Sequence, residues 1–352
     1  MKIFIRIIIV SLILSIASYV IIQVPSVQDR LMLFVASSLM DADNNLPTED
    51  SLSVAVCGSR SPIPSPGRAE TCMLVKAGEN MFVLDIGDGS FDNLQSWNIP
   101  LGKVNAVLLT HLHSDHIADL PSLHQAHWIM QSRKNKLKVY GPEGVSLVTE
   151  GFEKAYERDY QFRYEHHGEE IATKQYAGFD PVTIDLNSPV IFDDDELRIT
   201  AFRVIHEPVK PALGFKFEYK GRSVVFSGDT SYVQEVIDQS MNVDILFHEA
   251  QANHMVSFMQ GLASKNGLTL RAKVMEDIKT YHTTLTEAAQ IANKANVKRL
   301  VFYHLTPAPR NYLTKLIFTR GVDQIRDDWV LGEEDMLFVL PVGSSDILQR
   351  KM

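Results

Sequence analysis

The chain has 352 residues and a formal net charge of −9, with 45% apolar and 22% charged residues. That length holds one large domain or two small ones, and the balance is that of a globular protein. The negative charge excludes the global basic field common in nucleic-acid binders, and two cysteines exclude a disulfide framework or a cysteine-rich zinc module.

Lys2 and Arg6 precede residues 7–24, which carry no charge and almost no polar group. The stretch is just long enough to span a bilayer, and it also fits the apolar core of a secretory signal. Ile21, Ile22 and Val24 are too bulky for a cleavage site, so residues 1–24 are expected to stay as a transmembrane anchor. The basic flank then remains cytoplasmic and the rest lies across the inner membrane, extracytoplasmic or periplasmic; secretion after signal cleavage is the alternative. Residues 31–40 form a second apolar patch, too short to span, and 41–51 are polar and acidic. Residues 25–50 therefore read as a linker ahead of a domain over 51–343.

Residues 53–57 read as a strand, 58–68 as a Gly/Pro-rich loop, and 71–76 with 81–85 as a hairpin turning through 77–80. Asp85-Ile86-Gly87 follows as a turn. Cys57 and Cys72 flank the first loop and read as small core residues, with a disulfide left open if the domain is exported. Residues 104–109 are an apolar run of strand length that ends in Thr110-His111-Leu112-His113-Ser114-Asp115-His116. A helical pattern then runs from Ile117 towards Gln131. Four metal-ligand types fall within six residues on the loop at a strand's end. His111 and His113 can chelate one ion, and Asp115 and His116 can reach a second. Imidazole with carboxylate suits zinc, or iron or manganese in some hydrolases.

Further along, 137–140 is a strand and 143–164 a long helix rich in Glu, Lys, Arg and Tyr. His166 and His167 read as solvated. Residues 197–204 form a strand that delivers His206. Residues 214–219 and 223–226 form a hairpin ending in Ser227-Gly228-Asp229-Thr230. Residues 243–247 lead into His248-Glu249-Ala250-Gln251, helix 284–295 follows His282-Thr283-Thr284, and strand 299–303 ends in His304. His254 reads as surface. Lys265, Arg271 and Lys273 are either solvated or border the site. The recurring pattern is a strand with a polar residue at its C-terminal tip, which gives an α/β class.

These motifs together resemble the metallo-β-lactamase superfamily, in the form of its ribonuclease Z (zinc phosphodiesterase) branch. The 58–68 loop resembles that branch's opening loop, with Arg60 where a glycine is usual. Asp85-Ile86-Gly87 matches its Asp-x-Gly turn. His248-Glu249-Ala250 resembles its His-Glu-Ala-Thr box, with Gln251 in place of the threonine, and His282-Thr283-Thr284 its His-Ser-Thr box. The resemblance implies a four-layer αβ/βα sandwich of two similar halves. It implies that His111, His113 and His206 hold one Zn2+, that Asp115, His116 and His304 hold a second, and that Asp229 bridges them. Asp115 would also orient the attacking water, and Glu249 would orient His282 as the acid that protonates the leaving oxygen. Helix 143–164 has no Gly/Pro-rich tip of the kind that forms a tRNA-gripping arm in this branch.

The function expected is a dinuclear zinc hydrolase of ester bonds, first a phosphodiesterase or endoribonuclease like that of 3′ tRNA processing. An exported arylsulfatase-like hydrolase is the enzymatic alternative. A membrane-tethered zinc-binding non-enzyme is the other, although seven ligands are too many for one closed tetrahedron. Expected partners are a phosphodiester or other anionic ester, the membrane through the N-terminal helix and, as an open alternative, a second copy in a homodimer. RNA fits only if the domain stays in the cytoplasm.

Overall fold

The computed structural model describes residues 2–40, 44–130 and 135–352. Residues 41–43 of the expected linker and the expected helix end at Gln131 lie outside the described residues. Two compact units are present, Met1–Asn44 and Asn45–Met352. The first contains α1 (Lys2–Ile22) and α2 (Pro25–Met40). Phe4–Ile22 is the one helical stretch among the described residues that is long and apolar enough to cross a membrane. It is apolar on nearly every side, a character that a membrane anchor and a secretory signal share.

The second unit is built on two mixed sheets. The first contains β1 (Ser51–Gly58), β2 (Cys72–Ala77), β3 (Asn80–Leu84), β4 (Ala106–Leu108), β5 (Leu137–Gly141) and β6 (Phe179–Thr183). The second contains β7 (Val190–Asp193), β8 (Leu197–His206), β9 (Val209–Tyr219), β10 (Arg222–Phe226), β11 (Ile245–Gln251), β12 (Arg299–Thr306) and β13 (Trp329–Leu331). The chain then returns to the first sheet through β14 (Met336–Pro341) and β15 (Leu348–Lys351). The strand orders are β15-β14-β1-β2-β3-β4-β5-β6 and β13-β12-β11-β10-β9-β8-β7. The helices of this unit are α3 (Ser90–Ser96), α4 (Ser114–Ile117), α5 (Leu120–Gln125), α6 (Val145–Ile171), α7 (Gln234–Gln239), α8 (Asn253–Lys265), α9 (Thr269–Asp277), α10 (Leu285–Lys294) and α11 (Tyr312–Phe318).

Side-chain alternation along the strands divides the interior into three cores. On β1, Leu52, Val54 and Val56 face the second sheet, and Ala55 and Cys57 face the helices outside. On β12, Val301 and Tyr303 face inward, whereas Leu300, Phe302 and Leu305 pack with α10 and α11. One core thus lies between the sheets and one lies on each outer face, which is the four-layer sandwich expected of the metallo-β-lactamase fold. The apolar runs of β4 and of Ile245 to Phe247 in β11 follow from burial on both faces.

Several expectations are revised. The helical pattern expected from Ile117 is broken: α4 ends at Ile117, α5 starts afresh with Pro121 in its first turn, where a missing N–H costs nothing, and a π-helical turn follows at 126–130. The helix expected at 143–164 runs to Ile171, with a kink at Gly168 (φ 72°). Cys57 and Cys72 are buried, but they are joined in a disulfide rather than separate thiols. They sit on adjacent strands beside a register shift, with Cα atoms 4.9 Å apart, inside the span a disulfide bridges. The apolar N-terminal helix and the disulfide together point to an extracytoplasmic location.

The disulfide joins residues 15 positions apart. Replacing both cysteines by alanine should lower the unfolding free energy by about 3 kcal/mol. Denaturant unfolding of the oxidised wild type and the double variant checks this, and equal midpoints would refute it.

Candidate metal centre

The site is assembled at the C-terminal tips of strands from both sheets. β4 ends at Leu108, and the loop after it is fixed by Asp85, which is fully buried. Asp85 accepts from the Thr110 N–H at 2.8 Å and the Thr110 hydroxyl at 2.9 Å, and lies 2.8 Å from His116 Nδ1. Its own φ of 53° is left-handed, a conformation aspartate tolerates better than most residues. The turn continues beneath α4: the Ile86 N–H donates to the His116 carbonyl at 2.9 Å. A Cβ on Gly87 would lie 2.1 Å from the Asp115 carbonyl oxygen, so only glycine fits under the ligand loop. The Leu213 N–H donates to the Thr110 carbonyl at 2.9 Å and ties the loop to the opposite sheet.

His206 ends β8, and its Nδ1 donates to the Tyr281 carbonyl at 3.0 Å, which turns Nε2 towards the centre. Asp229 follows β10 on a turn held by a hydrogen bond of 3.0 Å from the Gly228 N–H to the Tyr303 hydroxyl. His304 owes its direction to an irregularity: Glu249 pairs with Tyr303 and Ala250 with Leu305, so His304 is an extra residue on β12, with φ 45°. Such a bulge re-aims a side chain that the regular pleat would send elsewhere.

The seven residues expected as ligands converge. His111, His113 and His206 form one group, His111, His116 and Asp229 a second, and Asp115, His116 and His304 a third, with ligand atoms in each group within 4.8 Å of one another. Asp229 Oδ2 lies 3.9 Å from His111 Nε2, 3.5 Å from His116 Nε2, 3.9 Å from His206 Nε2 and 3.2 Å from His304 Nε2. His304 Nε2 is also 3.2 Å from Asp115 Oδ2. Six of the seven are buried; His113 faces the pocket. His116 Nε2 and Asp229 Oδ1 are buried without a hydrogen-bond partner, and that is the signature expected of a donor set shaped for cations.

Electrostatics divide the cluster. Burial, then the neighbouring histidines, pushes His111 well below the usual range, and burial lowers His113 and His206 despite Asp229. These rings are neutral, with lone pairs free to coordinate. Burial also opposes charge on His116, but Asp85, Asp229 and Asp115 outweigh it and raise the ring well above the usual range. Burial pushes Asp115 up, yet His116 and His304 hold its carboxyl down at about 2.

Beside the cluster, His282 Nδ1 lies 3.0 Å from Glu249 Oε1. Glu249 is fully buried, and the same oxygen accepts from the Thr283 N–H at 2.9 Å and the Thr230 N–H at 3.2 Å. The His282 ring stacks on His304 and tilts against His206. Burial disfavours its charge, but Glu249 outweighs burial and raises it above the ordinary value. Gln251, where the threonine was expected, donates to the Ile278 carbonyl at 2.9 Å and so ties the 278–284 segment to β11. His248 points away, its Nδ1 donating to the Glu249 carbonyl. His166, His167 and His254 are exposed, and His254 donates to the Ile317 carbonyl at the end of α11.

Arg60 is buried and clamps the opening loop, donating to the Arg68 carbonyl at 3.0 Å and pairing with Glu70 at 2.8 Å. A pocket of about 670 Å³ opens over the cluster. Its walls are Ser61 to Pro64 from that loop and Met259, Arg271, Val274, Met275 and Ile278 from the α8–α9 hairpin. Of the three cations considered for this border, Arg271 lines the pocket, and Lys265 and Lys273 do not. Met255, Met259 and Leu262 of α8 recur at helical spacing, but such a stripe does not by itself say that it borders a site.

Three carboxylates hold a proton on His116 that an incoming cation must displace. Metal uptake should therefore release about one proton from this ring, and apparent affinity should rise by about tenfold per pH unit while His116 is protonated. Calorimetry in buffers of different ionisation heats counts the protons; uptake without release would contradict it.

Residues 88–305 match the β-lactamase superfamily domain model. The ribonuclease Z of Mycobacterium bovis (strain BCG / Pasteur 1173P2) is 32% identical over 260 residues, 73% of this chain and 87% of that protein. Among solved structures, the metallo-β-lactamase fold protein YhfI from Bacillus subtilis superposes with a TM-score of 0.59 at 20% identity, covering 83% of this chain and 100% of that one. The short form of human tRNase Z gives 0.58 at 20% identity, covering 82% and 99%. With over half its length matched by the family model and its ligand cluster at the tips of two facing sheets, the chain belongs to the metallo-β-lactamase superfamily and is a hydrolase of that fold.

Proposed function

We propose that the protein is a dinuclear zinc phosphodiesterase of the ribonuclease Z type, held at the membrane by α1 and acting outside the cytoplasm on a small anionic ester. The observation that carries this reading is the Glu249–His282 pair, 3.0 Å apart and set against the ligand cluster. His111, His113 and His206 would hold one zinc ion, Asp115, His116 and His304 a second, with Asp229 between them. Zinc bound there supplies Lewis acidity and brings the pKa of a bound water from ~15.7 towards neutrality.

The chain's own groups do the rest. Asp115 lines the pocket and orients the attacking water. Glu249 cannot turn, because two backbone N–H groups hold the oxygen that faces His282. It fixes the Nδ1–H tautomer, favours the imidazolium and leaves Nε2 to the pocket. The water oxygen bonds to phosphorus and gives up a proton to solvent, the ester P–O bond breaks, and His282 passes its own proton to the departing oxygen. An alkoxide needs that proton, whereas an aryl sulfate or a strained lactone does not. The pair therefore favours phosphodiesters over the arylsulfatase reading, and a purely structural zinc protein has no use for it. The relatives' name, ribonuclease Z, supports the same chemistry; the export signals argue for a small diester in place of tRNA.

Metal analysis of the zinc-loaded full chain should give two ions, and His111→Ala or Asp229→Ala should lose at least one. A single ion in fully loaded wild type would refute the dinuclear assignment.

The general-acid role is tested by leaving group. His282→Ala should slow alkyl phosphodiester cleavage by about 10²–10⁴-fold and nitrophenyl diester cleavage far less, with zinc content unchanged. Glu249→Gln should show the same pattern at smaller size. Aryl sulfate assayed alongside should be the poorer substrate. Equal losses on both diesters would make His282 a positioning residue instead.

A further inference from the structure

The pocket over the cluster is polar only at its floor. A second cavity of about 270 Å³ lies between α8 and α9, and Met259, Arg271 and Met275 line both. Leu262 and Leu268 lie at its outer end, 53% and 44% exposed. Solvent-facing residues of this size are expected to be scattered singly; here they lie along one groove that leads from the candidate metal ligands. Lys273 is paired with Asp277, and Lys279 with Glu276 at 3.0 Å. Arg271, between the two cavities, makes no ion pair or hydrogen bond among the described residues. A groove of apolar side chains with one unpaired cation at its neck is complementary to an amphiphile: an anionic ester group followed by an aliphatic chain. Methionine suits such a role, because its unbranched thioether adapts to chains of different conformation.

We propose that the substrate carries an alkyl chain of several carbons on its ester, bound along Met259 and Met275 towards Leu262 and Leu268, with Arg271 facing the anionic head. This rests on the phosphodiesterase reading above and names its substrate class. The chain need not be cleaved: it remains on the alkyl phosphate when nitrophenolate leaves, so a homologous series of alkyl 4-nitrophenyl phosphates reports on the groove alone.

A fully buried methylene contributes about fourfold to binding and a half-buried one about twofold. For the zinc-loaded full chain in phosphatidylcholine nanodiscs, kcat/KM should rise roughly tenfold or more from the ethyl to the hexyl diester. Partitioning into the lipid lowers free substrate, works against that trend and is measured with empty discs. Leu262→Gln and Leu268→Gln should flatten the series, and Leu262→Met should restore it. Calorimetry with ethyl- and hexylphosphonate provides a readout without turnover, with the same factor expected in Kd. A flat or falling series with hydrolysis intact overturns the groove and leaves the phosphodiesterase reading standing. Equal affinities for the two phosphonates also overturn it. Absence of all diester cleavage, with hexylphosphonate still preferred, would instead sink the phosphodiesterase reading and keep the groove. Faster cleavage of a diribonucleotide than of the hexyl diester would overturn the amphiphile in favour of a nucleic-acid substrate.

Discussion

Asp85 takes three buried donors, the Thr110 N–H, the Thr110 hydroxyl and His116 Nδ1, on one carboxylate with no access to water. A buried carboxylate is tolerable only when so satisfied, and the loss of one such partner typically costs more than the bond itself contributes. The consequence is positional. With Thr110 and His116 fixed at its two ends, the five residues between them have one course to follow, and that course sets His111, His113 and Asp115. The glycine beneath allows the approach, and the Leu213 N–H locks the loop to the facing sheet. The opposite half of the cluster, His206, Asp229 and His304, can meet it only because both sheets end their strands at the same rim.

Charge is distributed across this rim as deliberately as geometry. Asp229 lies within 4 Å of four histidines, and His116 within reach of three carboxylates. Such a concentration of ligating groups would be a costly core in its own right, since each group is taken out of water with incomplete partners. It is supported instead by donors and acceptors outside it: Thr110 on His111, Asp85 on His116, the Tyr281 carbonyl on His206. The Glu249–His282 pair repeats the arrangement one layer further out, with backbone N–H groups from two segments holding the carboxylate.

The seven converging positions were legible because each lies in a short motif at the tip of an apolar run, where periodicity marks the strand and residue type marks the candidate chemistry. His304 was legible as a residue but not as a bulge, since a register shift of one residue leaves no trace in composition. The disulfide was left open for the same reason: two cysteines 15 apart have no distance until β1 and β2 pair. The interruption of the helix after Ile117 had a signal, Pro121, that the apolar pattern masked. The α8–α9 hairpin had a partial one: Met255, Met259 and Leu262 keep helical spacing on α8, whereas on α9 Leu270 and Val274 face solvent and Ala272 is buried. Short strands such as β13 and β15 depend on neighbours far away in sequence, and β15 is exposed along its length.

The extra residue on β12 makes chain length, rather than side-chain identity, the sensitive property of that strand. Deleting His304, the one residue between Tyr303 and Leu305, would bring the β11–β12 ladder into regular pairing. The protein so shortened would keep its strand pairing and lose a candidate ligand, together with the partner that His304 gives Asp115 and Asp229.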